Sequence, residues 1–283
     1  MSRIARWTWN RIEMTRPHNL AVAVLSILAG WAIAGGGTPD ARLIWALAAA
    51  ALVTAAGNVV NDYFDVEIDR INKPRRPIPS GRISPAESRR YAGGLTAAAL
   101  VSGIVCGSGM ALVVVVWTAV LHLYSRVLKS RFLWGNLAVS LVSASGFVVG
   151  AWLAGAARLG VLPAGLAFLF LMGREIVKDV EDLPGDSANG ARTLARCLGV
   201  KRALGVALGF FVLFACLTPS PYWFELCGPP YLLTVGLGVL PLLVLASWLM
   251  LRDASPANLV RVSWILKIDM FVGVLGVYLG RVQ

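Results

Sequence analysis

The chain has 283 residues, 57% of them hydrophobic and only 14% charged, with a formal net charge of +11. Soluble domains run at about 45–50% apolar and about 25% charged, so a single soluble core is excluded as the place where this much apolar sequence is buried. The basic excess flanks apolar blocks and does not gather on a polar domain, which argues against a nucleic-acid partner.

In chain order, Met1–Arg16 carries Arg3, Arg6, Arg11 and Arg16 ahead of the first apolar stretch. No small-residue cleavage site is evident and hydrophobic segments continue, so the expectation is a retained cytoplasmic amphipathic segment and not a signal peptide. Nine apolar blocks follow, at about 18–36, 43–66, 86–105, 110–125, 135–157, 161–177, 203–219, 228–250 and 262–280. Most approach the ~20 residues that cross a bilayer at about 1.5 Å per residue. The fourth and sixth are short and need their flanking turns. Cys106-Gly107-Ser108-Gly109 separates the third from the fourth and predicts a tight helical hairpin.

The expected fold is therefore an all-α integral membrane protein of nine transmembrane helices with a cytoplasmic N-terminus. Residues 1–283 are read as one polytopic domain: two pseudo-repeated four-helix halves (about 17–130 and 134–250), a last helix, and cap loops at about 67–84 and 180–200. In that orientation nearly all Lys and Arg residues lie on the cytoplasmic side or at cytoplasmic helix ends, with Arg42, Arg158 and Arg281 outside, as the positive-inside rule requires. The expected location is the cell membrane, with the working side toward the cytoplasm and membrane lipids as neighbours. Nothing in the sequence points to an obligate protein partner. Cys106, Cys197, Cys216 and Cys227 show no CxxC spacing, and His18 and His122 lie far apart, so zinc and thiol-redox chemistry are unsupported.

The acids carry the information. Asp62, Asp65, Glu67 and Asp69, then Glu175, Asp179, Glu181, Asp182 and Asp186, put nine of the 15 acidic residues in two places. At roughly 100° per residue, Asn58, Asn61, Asp62, Asp65 and Asp69 fall within about 100° of arc on a helix, and Glu67 points elsewhere. Glu175, Lys178, Asp179, Asp182 and Asp186 fall on the same arc if the helix persists past Pro184-Gly185. The offset is constant: Asp62 to Asp179, Asp65 to Asp182 and Asp69 to Asp186 are each 117 residues apart, the mark of a parallel internal repeat.

Like charges at i,i+3 and i,i+4 destabilise a helix, and carboxylates at a membrane boundary are costly to desolvate. A divalent cation reverses that balance. Mg²⁺ prefers hard oxygen ligands and completes its shell with phosphate and water, so two such stripes fit metal ions bridging to a diphosphate. The Lys73–Arg82 loop, rich in Pro and Gly, is expected to fold over the site and to offer Arg75, Arg76 and Arg82 to phosphate oxygens. Arg126, Lys129, Arg131 and Lys178 lie on the same side. Lys267 and Asp269, inside the last block, are read as a local pair.

These residues resemble the UbiA-type intramembrane prenyltransferases. That family's NDxxDxxxD motif corresponds to Asn61-Asp62, Asp65 and Asp69, and its DxxxD motif to Asp182 and Asp186. The resemblance extends to Arg16-Pro17, the loop Arg76–Gly81 and Gly190–Thr193. The family often carries YxxxK after the fourth helix, whereas Tyr124 and Lys129 here are five residues apart. The resemblance implies Mg²⁺ as cofactor, held by Asn61, Asp65, Asp69, Asp182 and Asp186, with Asp62 and Asp179 either further ligands or partners that orient them. It implies an isoprenyl diphosphate donor bound by Arg16, Asn58, Arg75, Arg76, Arg82, Lys129 and Lys178. Asp65, Asp69, Asp182 and Asp186 are the expected catalytic acids, and Tyr124 is either a neighbour of the carbocation or an interfacial anchor.

The strings around both motifs are most similar to archaeal members. The implied reaction is transfer of a geranylgeranyl group to geranylgeranylglyceryl phosphate, the second ether bond of archaeal lipids. A 4-hydroxybenzoate-type aromatic acceptor of quinone biosynthesis is the alternative. A secondary transporter, the rival of another class, also has repeats and intramembrane acids, but here the acids sit at helix ends beside cations.

Overall fold

The computed structural model describes residues 3–281; Met1, Ser2 and the Arg3 and Arg6 side chains of the basic N-terminal segment lie outside the described residues. The chain is helical: α1 (Arg3–Thr15), α2 (Pro17–Ile33), α3 (Ala41–Phe64), α4 (Val66–Asn72), α5 (Pro85–Cys106), α6 (Ser108–Arg126), α7 (Trp134–Leu153), α8 (Val161–Glu181), α9 (Leu183–Ala188), α10 (Leu194–Leu198), α11 (Val200–Leu217), α12 (Ser220–Trp223), α13 (Pro229–Thr234), α14 (Leu240–Arg252) and α15 (Pro256–Leu279). Arg131–Phe132 and Arg192–Thr193 are short strands.

Among the described residues seven segments are long and apolar enough to cross a membrane: Ala41–Phe64, Ser108–Arg126, Trp134–Leu153, Ala157–Glu181, Val200–Trp223, Pro229–Arg252 and Pro256–Leu279. The first and third apolar blocks fall on α2, which has 17 residues, and on α5, whose first turns carry Glu87, Arg89 and Arg90.

Local chemistry sets the helix ends. Asp40 caps α3 by accepting from the Leu43 N–H at 2.8 Å. Ser84 and Glu87 form a reciprocal capping box at the start of α5, with Pro85 in its first turn, as such termini favour. The expected hairpin closes on a single residue, Gly107, at φ 132°, where a side chain would be strained. Pro229–Arg252 is one long segment interrupted by a π turn at Val235–Val239.

The structure divides into two compact units. The first comprises the chain up to Val24, Pro39–Arg131 and Pro184–Ala191. In it, Cys106 Sγ donates to the Arg42 carbonyl at 3.3 Å, so α5 runs antiparallel to α3. Met14, Val59, Val60, Ile78, Ile83 and Ala92 form a small core that joins α1, α3, α5 and the loop before α5.

The second unit comprises Leu25–Thr38, Phe132–Leu183 and the chain from Arg192. Its larger core includes Phe170, Phe211 and Phe214, whose rings pack at centroid separations of 5.9 and 5.4 Å. Helices α2 and α7 cross on glycines from both sides. A Cβ on Gly30 would lie 2.1 Å from the Phe147 carbonyl oxygen, and one on Gly150 would lie 1.9 Å from that of Ile27. Small residues let membrane helices approach this closely. Gly150→Ala is therefore expected to destabilise the protein by about 3 kcal/mol or more, read as a lowered melting temperature in detergent; an unchanged melting temperature would contradict this packing.

The last helix corrects the sequence reading. Lys267 Nζ stands 4.3 Å from the centroid of the Trp264 ring, and both Asp269 carboxylate oxygens are buried without a hydrogen-bond partner. Residues at i,i+2 do not share a helix face, so Lys267 and Asp269 are not a pair.

Candidate active site

The first acidic motif lies at the end of α3 and runs into α4. Asn61, Asp62, Asp65 and Asp69 are all buried. Asp65 breaks the helix at φ −88°, ψ 5°, yet its N–H still donates to the Asn61 carbonyl at 2.9 Å, and the Asp69 N–H donates to the Asp65 carbonyl at 2.7 Å. The four-residue ladder continues through the break, which keeps the polar groups on one face as the spacing predicts.

Arg16, Arg76 and Lys129 meet that face. Arg16 donates to Asp62 and, at 3.3 Å, to Asn61 Oδ1. Arg76 Nη1 bridges Asp62 Oδ1 at 3.2 Å and Asp69 Oδ2 at 2.6 Å. Lys129 pairs with Asp65. Burial holds the Asp69 carboxyl above its ordinary range, and the Arg76 guanidinium beside it offsets only part of that rise. Arg16 adopts φ 52°, in the left-handed region, a conformation that costs a residue with a Cβ roughly 1 kcal/mol or more. It turns the chain between α1 and α2 at the residue whose guanidinium meets Asp62.

Of the cations after α6, Lys129 is the one paired with this motif. A 3₁₀ turn at Leu128–Ser130 follows α6, while Arg126 and Arg131 are exposed. Tyr124 is buried on α6. Asn58 holds the α1–α2 junction: its amide donates to the Thr15 carbonyl at 2.7 Å and its Oδ1 accepts from Asn19 at 3.2 Å.

The loop before α5 is fastened at one end by Arg76 on the acids and at the other by Arg82. Arg82 donates to both carboxylate oxygens of Glu13, at 2.7 and 2.9 Å, to Asn10 Oδ1 at 2.9 Å, and to the Arg75 carbonyl at 2.5 Å. Arg82 therefore stands on α1 and not on the acidic motif, while the Arg75 side chain is exposed. Arg82→Ala is expected to speed tryptic cleavage after Arg75 several-fold, since the bidentate Glu13 contact is lost; wild-type cleavage would show that Ile78 and Ile83 hold the loop alone.

The second motif repeats the first locally. Helix α8 ends at Glu181, Asp182 breaks the helix at φ −87°, ψ 1°, and α9 carries Asp186. Asp65 and Asp182 thus break their helices at the same motif position with nearly the same dihedral angles. Glu175, Asp182 and Asp186 are buried. Glu175 lies between Arg174 and Lys178, the latter at 3.5 Å, and Asp179 Oδ2 accepts from Asn136 at 2.9 Å.

Asp186 sits in the first compact unit. The Gly185 N–H donates to Asn72 Oδ1 at 3.0 Å, and a Cβ on Gly185 would come within 2.5 Å of Asn72 and 2.8 Å of the Ile68 carbonyl oxygen. The end of the second motif is therefore seated on α4, the helix that carries Asp69. Asn72, Asn136, Arg174 and Glu13 escape the sequence reading. Only Arg174, adjacent to Glu175, carries a local signal; the others act across 43 or more residues of chain.

Among the described residues no group of three or more His, Cys, Asp or Glu side chains is gathered closely enough to hold an ion by itself. The donor set still fits Mg²⁺: the candidate ligands on the first motif are hard oxygens, here neutralised by Arg16, Arg76 and Lys129. The Asn61 Nδ2 is buried with no hydrogen-bond partner, a donor of the kind a phosphate oxygen satisfies.

Residues 23–271 match the family model of the UbiA prenyltransferase family. The digeranylgeranylglyceryl phosphate synthase of Methanopyrus kandleri is 38% identical over 270 residues, covering 93% of this chain and 96% of that protein. The synthase of the same name from Methanothermobacter thermautotrophicus is 40% identical over 260 residues, covering 92% and 91%. A solved structure of a digeranylgeranylglyceryl phosphate synthase superposes with a TM-score of 0.73 at 30% identity, covering 97% of this chain and 98% of that one. A UbiA homolog from Archaeoglobus fulgidus bound to GPP and Mg²⁺ shares the fold, with a TM-score of 0.67 at 17% identity, covering 95% and 99%.

Proposed function

Because this chain belongs to the UbiA prenyltransferase family, as a multi-pass membrane enzyme, we propose that it transfers a geranylgeranyl group from geranylgeranyl diphosphate to the free hydroxyl of geranylgeranylglyceryl phosphate. The product carries the second ether bond of archaeal membrane lipids. The observation that carries the acceptor assignment is likeness over more than nine-tenths of the chain to synthases that bear that name. The solved UbiA homolog bound to GPP and Mg²⁺ supports the donor class and the metal.

In this reading Asn61, Asp62, Asp65 and Asp69, with Asp179, Asp182 and Asp186, hold Mg²⁺, which when bound supplies Lewis-acid stabilisation of the diphosphate leaving group. Arg16, Arg76, Lys129 and Lys178 exchange their carboxylate partners for phosphate oxygens as the substrate enters, and the orphaned Asn61 amide donates to one more. Asn58 and Arg82 act by holding α1 and the loop in place, and Arg75 meets the diphosphate from the exposed side of the loop. The allylic C–O bond breaks and its electron pair leaves with the diphosphate. Tyr124 lines the allylic end. Apolar helices exclude water, and the acceptor oxygen forms the new C–O bond. The acceptor proton passes to a carboxylate of the second motif or to the departing diphosphate.

We further infer nine membrane crossings within one polytopic domain, adding α2 and α5 to the seven apolar spans. The N-terminus and both motifs face the cytoplasm, and two pseudo-repeats are related by the matched breaks at Asp65 and Asp182. The placement of Lys and Arg supports the orientation.

The test is label transfer from radioactive geranylgeranyl diphosphate by the detergent-purified chain with Mg²⁺, offering geranylgeranylglyceryl phosphate and 4-hydroxybenzoate in parallel. Label is expected in a phosphorylated diether and is lost in Asp65→Ala and Asp182→Ala. Label on the aromatic ring alone would overturn the acceptor, and no transfer to either would overturn the reading.

A further inference from the structure

A cavity lies on the back of α3. The acids point from one side of that helix; Val60, Tyr63 and Phe64, on its opposite side by helical period, line a cavity of about 580 Å³ with α5 and α6. Its remaining walls combine one cation, one imidazole, the Thr96 hydroxyl and small or apolar side chains: Arg89, Gly93, Thr96, Ala97 and Leu100 from α5, and His122 from α6. None of these residues serves the acidic motif.

Arg89 and His122 stand at one end. Lys129, just past α6, pairs with Asp65 at the end of α3, and the end of α5 meets the start of α3 through Cys106 and Arg42. The start of α5, with Arg89, and the end of α6, with His122, therefore lie at the level of the acids. From there the cavity continues along α5 past Ala97 to Leu100, beside the exposed Val101, Ile104 and Val105. An apolar furrow with cations at the headgroup level is the arrangement that holds anionic lipid heads between membrane helices.

Two further facts narrow the ligand. Arg89 has no hydrogen bond or ion pair among the described residues, although Glu87 lies two positions away, committed to Ser84. Its five donors are available to a phosphate. His122 Nδ1–H donates to the Thr118 carbonyl at 3.1 Å, which leaves Nε2 for a headgroup hydroxyl.

We infer that this cavity is a binding site for a bilayer phospholipid whose headgroup carries a phosphate and a free hydroxyl, a glycerol-phosphate lipid, separate from the acidic motifs. Arg89 takes the phosphate, His122 a headgroup hydroxyl, and the strip from Gly93 to Leu100 the first part of a hydrocarbon chain.

Gly93 supplies a clean probe. A Cβ there meets nothing within 4 Å, so Gly93→Leu fills the furrow and improves the helix. The experiment reconstitutes the full chain in nanodiscs with phosphatidylglycerol bearing a diazirine in one chain, or with phosphatidylcholine bearing the same group, and maps the photolabel by peptide mass spectrometry. Phosphatidylglycerol is expected to label the Gly93–Leu100 segment at least about fivefold more than phosphatidylcholine. Arg89→Gln should lower that labelling at least about fivefold and Gly93→Leu should abolish it, with prenyl transfer in detergent unchanged in both. Equal labelling by the two lipids would overturn the proposal, as would labelling that survives both substitutions. Labelling displaced by the prenyl acceptor would also overturn it, by showing the cavity to be a substrate site. Should Arg89→Gln fail to fold, Gly93→Leu alone decides.

Discussion

Asp65→Asn is expected to slow prenyl transfer by about 10²–10³-fold with little change in the fold. Asp65 is buried, pairs with Lys129, and sits at the junction of α3 and α4. Asparagine has the same shape and keeps the backbone bond to the Asn61 carbonyl, so the break survives while the negative charge does not. An amide oxygen can ligate a hard cation but lacks the carboxylate's negative charge, so Mg²⁺ bound at this motif would be held more weakly. Turnover of the purified variant at saturating Mg²⁺ gives the answer. A rate within threefold of wild type would remove Asp65 from the chemistry and leave it a helix breaker.

Arg76→Gln is expected to cost roughly 2–4 kcal/mol of stability without substrate, somewhat below the ~3–5 kcal/mol typical of a fully buried pair. The discount follows from geometry: the Arg76 side chain is 22% exposed, while its partners Asp62 and Asp69 are 5% and 4% exposed. Removing the guanidinium takes from Asp69 the cation at 2.6 Å and leaves Asp62 with Arg16 among the described residues. Mg²⁺ together with geranylgeranyl diphosphate should restore part of the loss, because ligand that binds only the folded state raises its stability. Melting in detergent, with and without both additions, measures the two effects. A variant as stable as wild type would mean that the Arg76 contacts contribute nothing to the folded state.

Much of this was legible in sequence because it depends on local periodicity. A 100° step placed Asn61, Asp62, Asp65 and Asp69 on one face, and the apolar blocks all fall on helices. The break at Asp65 was not legible. The segment Asp62–Asp69 contains no Pro or Gly, and the hydrogen-bond ladder runs through it. In the second motif Pro184-Gly185 signalled a break, but the helix stops at Asp182, and Pro184 sits in the first turn of α9, where its missing N–H is harmless. Arg82 was legible as a cation but not as a latch, because its partner Glu13 lies 69 residues away. The seat of Gly185 on Asn72, 113 residues back, was hidden for the same reason. Long-range pairing leaves no period to read.

In the proposed mechanism the two motifs serve one diphosphate, and a double-mutant cycle on binding tests that most directly. Affinity for geranylgeranyl diphosphate in Mg²⁺ would be measured by titration calorimetry for wild type, Asp65→Asn, Asp182→Asn and the double variant. Shared ligation predicts that each single substitution removes most of the binding and that the double variant binds no worse than either, a coupling of at least about 1 kcal/mol. Losses that simply add, or an Asp182→Asn variant that binds like wild type, would contradict it.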